Sequence, residues 1–273
     1  MADLPNQKEC SIFDCILCKT EIPYVMKEVN NTLVKWVHSL EKKKIRQEEK
    51  CFVVEGHKCV SDTIKNFKLR HLFVTPNYKG ELSEYADVAT NVQMERMSML
   101  KTPTDVLAVY EIPEWNFSLD ELRGNLTLAL DNIQDPGNLG TIIRIADWFG
   151  VRNIICGDGT VDAYNPKVIQ ATMGAISRVR LHYMPLSAFF DKAKGVPVYG
   201  TFLDGVDLYD VDVANEGIVV MGNEGNGISS DLEKYMTNRL LIPPFPNNVE
   251  TSESLNVGMA TAVILSEFRR RMR

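Results

Sequence analysis

From about residue 30 onward, short apolar or β-branched runs alternate with stretches of helical periodicity, and this alternation restricts the fold more than any other feature of the chain. Runs that read as strands are FVV at 52–54, HLFVT at 71–75, VLAVY at 106–110, LTLAL at 126–130 and NIIC at 153–156. Four more follow at 179–183, 197–201, 217–221 and 239–242. Between them lie helices: one through Val60 and Ile64, one from about Asn138 to Phe149, and one opened by Asn165-Pro166, an N-cap followed by a first-turn proline. A last helix is expected from about Ser254 to Met272, with Thr251, Ser252, Glu253 and Ser254 suited to its positive end. Repeated βα units predict an α/β protein whose largely parallel sheet carries helices on both faces.

The 273 residues make about two ordinary domains. The stretch IPEWNFSLDELRG, with Pro113, its acids and Gly124, is the best linker candidate. The expected division is residues 26–112, a linker at 113–124 and a second domain at 125–273, with 1–25 as a leader lacking periodicity. A composition 45% hydrophobic and 24% charged excludes a disordered chain and a disulfide miniature. The start carries no basic segment followed by an apolar core, and no apolar run approaches the ~18 residues of a membrane span. The expectation is a soluble, cytoplasmic protein without a membrane partner. Six cysteines read as reduced thiols; Cys15-x-x-Cys18 lacks a second ligand pair at zinc spacing, so no metal is expected.

Overall the chain is acidic, at -6, but the charge is uneven. Residues 26–70 hold eleven Lys/Arg, including Lys42, Lys43, Lys44 and Arg46, against six acids, a net +5; the remainder is -11. A basic module ahead of an acidic one can meet phosphates, because charge acts locally at physiological salt. A solvated helix face at 42–44 is the plain alternative.

Three loops after strands carry the candidate chemistry, where open α/β sheets bind ligands. The first is DNIQDPGNLGTIIR at 131–144: turn residues, Asn138 near a helix start, then a helix with an apolar stripe at Leu139, Ile142, Ile143, Ala146 and Phe149. Arg144 lies opposite that stripe, facing solvent or a cleft, and Asp147 at i+3 could simply pair with it. The second is GNEGNG at 222–227, whose glycines let a backbone approach a ligand closely; it is neither a P-loop nor a dinucleotide fingerprint. The third is IPPFPNNVETSESLN at 242–256, where prolines precede a helix N-terminus.

Together these residues resemble the SpoU (TrmH-like) branch of the SPOUT RNA methyltransferases. The first family motif appears as Asp135, Pro136, Asn138, Gly140 and Arg144, with Asn138 and Gly140 one residue closer than the usual spacing. The second is GNEGNG at 222–227, and the third is Ile242-Pro243 followed by SLNV at 254–257. Gly258-Met259 replaces the usual small β-branched pair. Residues 42–60 resemble the family's L30e-like substrate-binding domain; nothing in the first 25 residues matches.

The resemblance implies a parallel-sheet SPOUT domain with a C-terminal deep trefoil knot, preceded by a smaller L30e-like α/β domain. It implies S-adenosyl-L-methionine as cofactor, held at Thr201, Gly222, Ile242 and Leu255, mostly through backbone groups. The implied reaction methylates a ribose 2′-hydroxyl of RNA, with Arg144 implicated in it and Asn138, Glu224, Ser254 and Asn256 shaping the site. Ribosomal RNA of the 23S type is favoured over transfer RNA by the L30e-like front. A homodimer is implied too, and the apolar stretch from Leu255 to Leu265 agrees with a helix covered on both sides. A non-catalytic RNA-binding protein keeping the fold is the alternative of a different class. A nucleotide-dependent oxidoreductase is disfavoured by the missing dinucleotide fingerprint.

Overall fold

The computed structural model describes residues 28–246, 252 and 254–272. The leader expected at 1–25, with Cys15 and Cys18, lies outside the described residues, as do Thr251 and Glu253. The chain divides into two compact units, one ending at Pro113 and one beginning at Glu114.

The first unit runs α1 (Asn31–Ser39), α2 (Lys43–Glu49), β1 (Cys51–Glu55), α3 (His57–Thr63), β2 (Leu69–Val74), β3 (Asp87–Val88), α4 (Asn91–Met97) and β4 (Val106–Glu111). Asn30 caps α1 by accepting from Leu33 N, and Thr90 with Gln93 forms a capping box on α4. The sheet order is β1-β4-β2-β3. The parallel expectation fails here: β4 pairs antiparallel to both β1 and β2. The β-branched run predicts a strand, but pairing direction depends on the end from which the chain re-enters. Alternate residues feed two faces: Val53, Phe73, Leu107 and Val109 pack with Val34, Val37, Met94 and Met97, while Phe52 and Tyr110 meet Phe67 behind the sheet.

Arg46 corrects the charge reading. Only 2% exposed, it donates from Nη1 to Leu40 O at 2.8 Å and Glu41 O at 2.6 Å. It satisfies carbonyls left unpaired where α1 ends, and so presents no charge to a partner. Lys35, Lys42, Lys43, Lys50 and Lys65 are exposed.

The second unit has β5 (Leu126–Leu130), α5 (Pro136–Trp148), β6 (Asn153–Cys156), α6 (Pro166–Thr172), β7 (Arg180–Tyr183), α7 (Leu186–Lys192), β8 (Val198–Asp207), β9 (Gly217–Met221), β10 (Asn238–Leu241) and α8 (Val257–Arg271). All neighbours in its sheet, ordered β10-β8-β9-β5-β6-β7, are parallel. The segment expected as a linker is built into this unit from Glu114 on. Leu122 is 1% exposed, Phe117 packs on His182 and Phe189, and the Arg180 guanidinium lies over the Trp115 ring. Its aromatic residues, passed over for its proline and acids, explain the difference. Strand β8 runs six residues past its expected end because 206–207 pair with β10 after a register shift. Helix α8 starts at Val257, not Ser254, with Asn256 as its N-cap. Among the described residues no helix is long and apolar enough to cross a membrane.

Glycine 140 sets the spacing of α5 against α6: a Cβ there would lie 2.3 Å from Ala171 Cβ. Gly140→Ala is expected to lower unfolding stability by about 1–3 kcal/mol through overpacking, read from the midpoint of guanidinium unfolding. An unchanged midpoint would mean that the α5–α6 contact yields without cost.

Candidate active site

The three candidate loops leave the carboxyl ends of neighbouring strands. β9 lies between β5 and β8, and β10 lies beyond β8. Parallel pairing therefore brings Asp131 after β5, Gly222 after β9, Thr201 on β8 and Ile242 after β10 to one end of the sheet.

The glycine loop is closed by its own backbone. Asn223 N donates to Gly227 O, and Gly227 N to Asn223 O, both at 2.9 Å. The Asn223 Oδ1 atom accepts from Gly225 N and Asn226 N, while its Nδ2 donates to Asn132 O at 2.9 Å. Ser229 N donates to Asp131 Oδ2 at 2.7 Å, a second stitch between these loops. A Cβ at Gly222 would lie 2.3 Å from Gly227 C, so only glycine fits that position. Asn132 holds a left-handed φ of 57°, which asparagine tolerates better than most residues. Sequence reasoning missed Asn132, Asn223, Asp131 and Ser229 as loop-fixing residues. The first three lay inside or beside the motifs, but their contacts are long-range.

Three expected site residues from three loops meet directly. Asn138, in the first turn of α5, donates from Nδ2 to Glu224 Oε1 at 2.7 Å. Its Oδ1 accepts from Asn256 Nδ2 at 2.9 Å. The Asn256 Oδ1 accepts from Gly258 N and Met259 N, capping α8. Upstream, Asp135 Oδ1 accepts from Asn138 N at 2.8 Å, so both helix starts are fixed by the same cluster. Gly258 packs on Thr141: its Cβ would stand 2.9 Å from Thr141 Cγ2. At the other end Arg269 donates to Phe149 O and Gly150 O, so α5 and α8 run side by side in the same direction.

Thr201 Oγ1 donates to Val220 O at 3.2 Å. Among the described residues, the backbone groups of Gly222, Ile242 and Leu255 enter no backbone hydrogen bond. Ser254 is exposed and does not join the Asn138 cluster. Arg144 is exposed on α5 and, among the described residues, has no hydrogen-bond or ion-pair partner. The expected alternative, a pair with Asp147, is not formed: Arg178 holds Asp147 instead, with Nη2 2.7 Å from Oδ2.

Titratable groups on β6 and β7 of the same sheet are held in one protonation state. Burial pushes the Cys156 thiol up to about 12, and the Tyr183 phenol, whose ring is partly exposed but whose hydroxyl donates to Val161 O and accepts from Ala163 N, is also raised, so both stay protonated at neutral pH. His182 is buried beside Phe117, with Nε2 3.0 Å from Asn153 Oδ1, and burial lowers its pKa. What the cluster offers is positioned amide and carboxylate groups; Gly222, Ile242 and Leu255 have backbone groups outside backbone hydrogen bonds, and Arg144, elsewhere on α5, has no side-chain partner among the described residues.

Comparison with known proteins bears on this geometry. The model of the SpoU rRNA Methylase family matches residues 125–266, and that of an MRM3-like substrate binding domain matches residues 31–108. The chain is 30% identical over 256 residues to the 23S rRNA (guanosine(2553)-2′-O)-methyltransferase RlmP of Bacillus subtilis, covering 89% of this chain and 98% of that protein. A solved structure from Porphyromonas gingivalis, described as a TrmH-family RNA methyltransferase, is similar with TM-score 0.78 and 36% identity, covering 90% of this chain and all of that one. The AdoMet-bound rRNA methyltransferase from Sinorhizobium meliloti is similar with TM-score 0.77 and 29% identity, covering 91% and 98%.

The double duty of Asn256 is open to test. Asn256→Ala removes both the α8 cap and the bond to Asn138, and is expected to cost about 1–2 kcal/mol in chemical unfolding. Asn256→Ser keeps a good cap oxygen and loses only the donated bond, without setting a carboxylate against Asn138 Oδ1, so most of that stability should return. Equal losses in both variants would show that the cap contributes nothing.

Proposed function

Because the chain belongs to the SpoU rRNA methylase family, we propose that it transfers the methyl group of S-adenosylmethionine to a ribose 2′-hydroxyl of 23S-type rRNA. The observation that carries this reading is the junction of Asn138, Glu224 and Asn256 across three loops, on whose helix α5 Arg144 is also carried, exposed and with no partner among the described residues. A protein that only bound RNA would have little use for a hydrogen-bonded cluster assembled from all three motif loops.

The residues present fit the cofactor. Gly222, Ile242 and Leu255 offer backbone groups not spent on other backbone, near apolar surface from Ile242 and Leu255; Leu255 is 51% exposed. Such donors and acceptors suit a purine edge, with Thr201 alongside. When bound, S-adenosylmethionine supplies an electrophilic methyl on a sulfonium. The protein must set the ribose oxygen in line and ease loss of its proton. Arginine stays charged, so Arg144 holds an RNA phosphate and steadies the developing alkoxide rather than acting as a free base. Asn138, Glu224 and Asn256 keep the loops in register around that oxygen, and Ser254 lines the approach to α8.

Residues 26–112 recognise the RNA, through exposed lysines such as Lys35, Lys42, Lys43 and Lys65 rather than through Arg46. Residues 125–273 form the methyltransferase domain, with a C-terminal deep trefoil knot. The protein works as a cytoplasmic homodimer. The stretch read as apolar leaves Met259 61% exposed beside the exposed Leu255, a surface that a second copy would cover.

Tritiated methyl incorporation into unmodified rRNA tests the assignment of Arg144. Arg144→Ala should cut the rate by about 10²–10³-fold while cofactor affinity hardly moves. Arg144→Lys should stay well below wild type, since an ammonium cannot reproduce a two-pronged contact. A folded Arg144→Ala protein with wild-type incorporation would remove Arg144 from the reaction. Light scattering at micromolar concentration should give twice the chain mass; a monomer mass would refute the dimer.

A further inference from the structure

Arg144 and Asp147 stand three residues apart on α5, a spacing that makes side chains neighbours on a helix surface. The carboxylate of Asp147 is nevertheless taken by a residue 31 positions away. Arg178 Nε donates to Oδ1 at 3.0 Å and Oδ2 at 2.9 Å, and Nη2 donates to Oδ2 at 2.7 Å. Arg178 follows the short 3-10 turn Ala175–Ser177, and its backbone N–H donates to Ala175 O at 3.0 Å. That turn continues from α6, which lies against α5 where Gly140 admits Ala171. Arg178 thus reaches Asp147 from a rigid support, with side-chain exposures of 43% and 24%. A forked, partly desolvated contact of this kind outcompetes a single flexible one along a helix surface.

We propose that Arg178 is a positioning residue for methyl transfer: by holding Asp147 it leaves Arg144 uncommitted. Once released, the Asp147 carboxylate would pair with Arg144 and withdraw it from an incoming RNA phosphate. This inference rests on the role given to Arg144 above. Arg178 acts through Asp147 and need not touch the RNA.

The test is a set of full-chain variants assayed for methyl transfer to rRNA, with urea unfolding run in parallel. Arg178→Ala should lower kcat/KM for RNA by about 3- to 10-fold, the scale of one partly exposed charge contact now competing for Arg144. Adding Asp147→Asn should restore the rate to that of Asp147→Asn alone, because the competing carboxylate is gone. In an Arg144→Ala background, Arg178→Ala should slow the reaction no further. If Arg178→Ala does not fold, Arg178→Gln carries the same comparisons. The proposal is overturned if loss of Arg178 leaves the rate unchanged, if Asp147→Asn fails to rescue it, or if the Arg178 effect persists without Arg144. Wild-type activity in Arg144→Ala alone would instead remove the underlying role of Arg144, and this inference with it.

Discussion

Asn138 uses both halves of its carboxamide at once, donating to Glu224 and accepting from Asn256, and the geometry of the site depends on that bridge. The glycine loop and the connection into α8 lie 86 and 118 residues along the chain from the turn into α5. Parallel pairing brings their strands together, but pairing sets backbone positions to the strand ends only. Beyond those ends something must fix the loops relative to one another. A single amide does this because it carries a donor and an acceptor in one rigid plane. Replacing it by aspartate would remove the donor and set two carboxylates side by side.

The same economy governs the surroundings. Asn256 spends its nitrogen on Asn138 and its oxygen on the first amides of α8, so capping the helix and placing the loop are one event. Helices α5 and α8 then run together from Gly258 on Thr141 to Arg269 on the carbonyls that close α5. On the flank of α5, Gly140 admits α6, and the segment after α6 delivers Arg178 to Asp147. Arg144 stands on that helix with no partner among the described residues. An exposed guanidinium that no neighbouring carboxylate occupies is available to an anion, and this is the basis of the role proposed for Arg144.

Much of this was legible in the sequence. LTLAL at 126–130, NIIC at 153–156 and 217–221 coincide with β5, β6 and β9, because buried parallel strands are written as short, continuous apolar runs. Asn165-Pro166 opens α6 as its cap chemistry requires, and the motif loops follow the strands expected to carry them. What stayed hidden depends on partners distant in sequence. Asp147 looked like a partner for Arg144 because a helix surface is visible locally, whereas Arg178 is not. Arg46 counted as surface charge until the end of α1 claimed it. The direction of β4, the extension of β8 and the packing of Trp115 and Phe117 are likewise set by tertiary context rather than period.

The account stands most directly on the product of the reaction. The full-length protein would be incubated with S-adenosylmethionine and unmodified 23S rRNA, the RNA digested to nucleosides, and the methylated species identified by mass spectrometry. A ribose 2′-O-methylated nucleoside, formed in equal amount to S-adenosylhomocysteine, is the predicted result. A methyl group on a base, or none on the RNA while the protein binds both cofactor and RNA, would contradict the account.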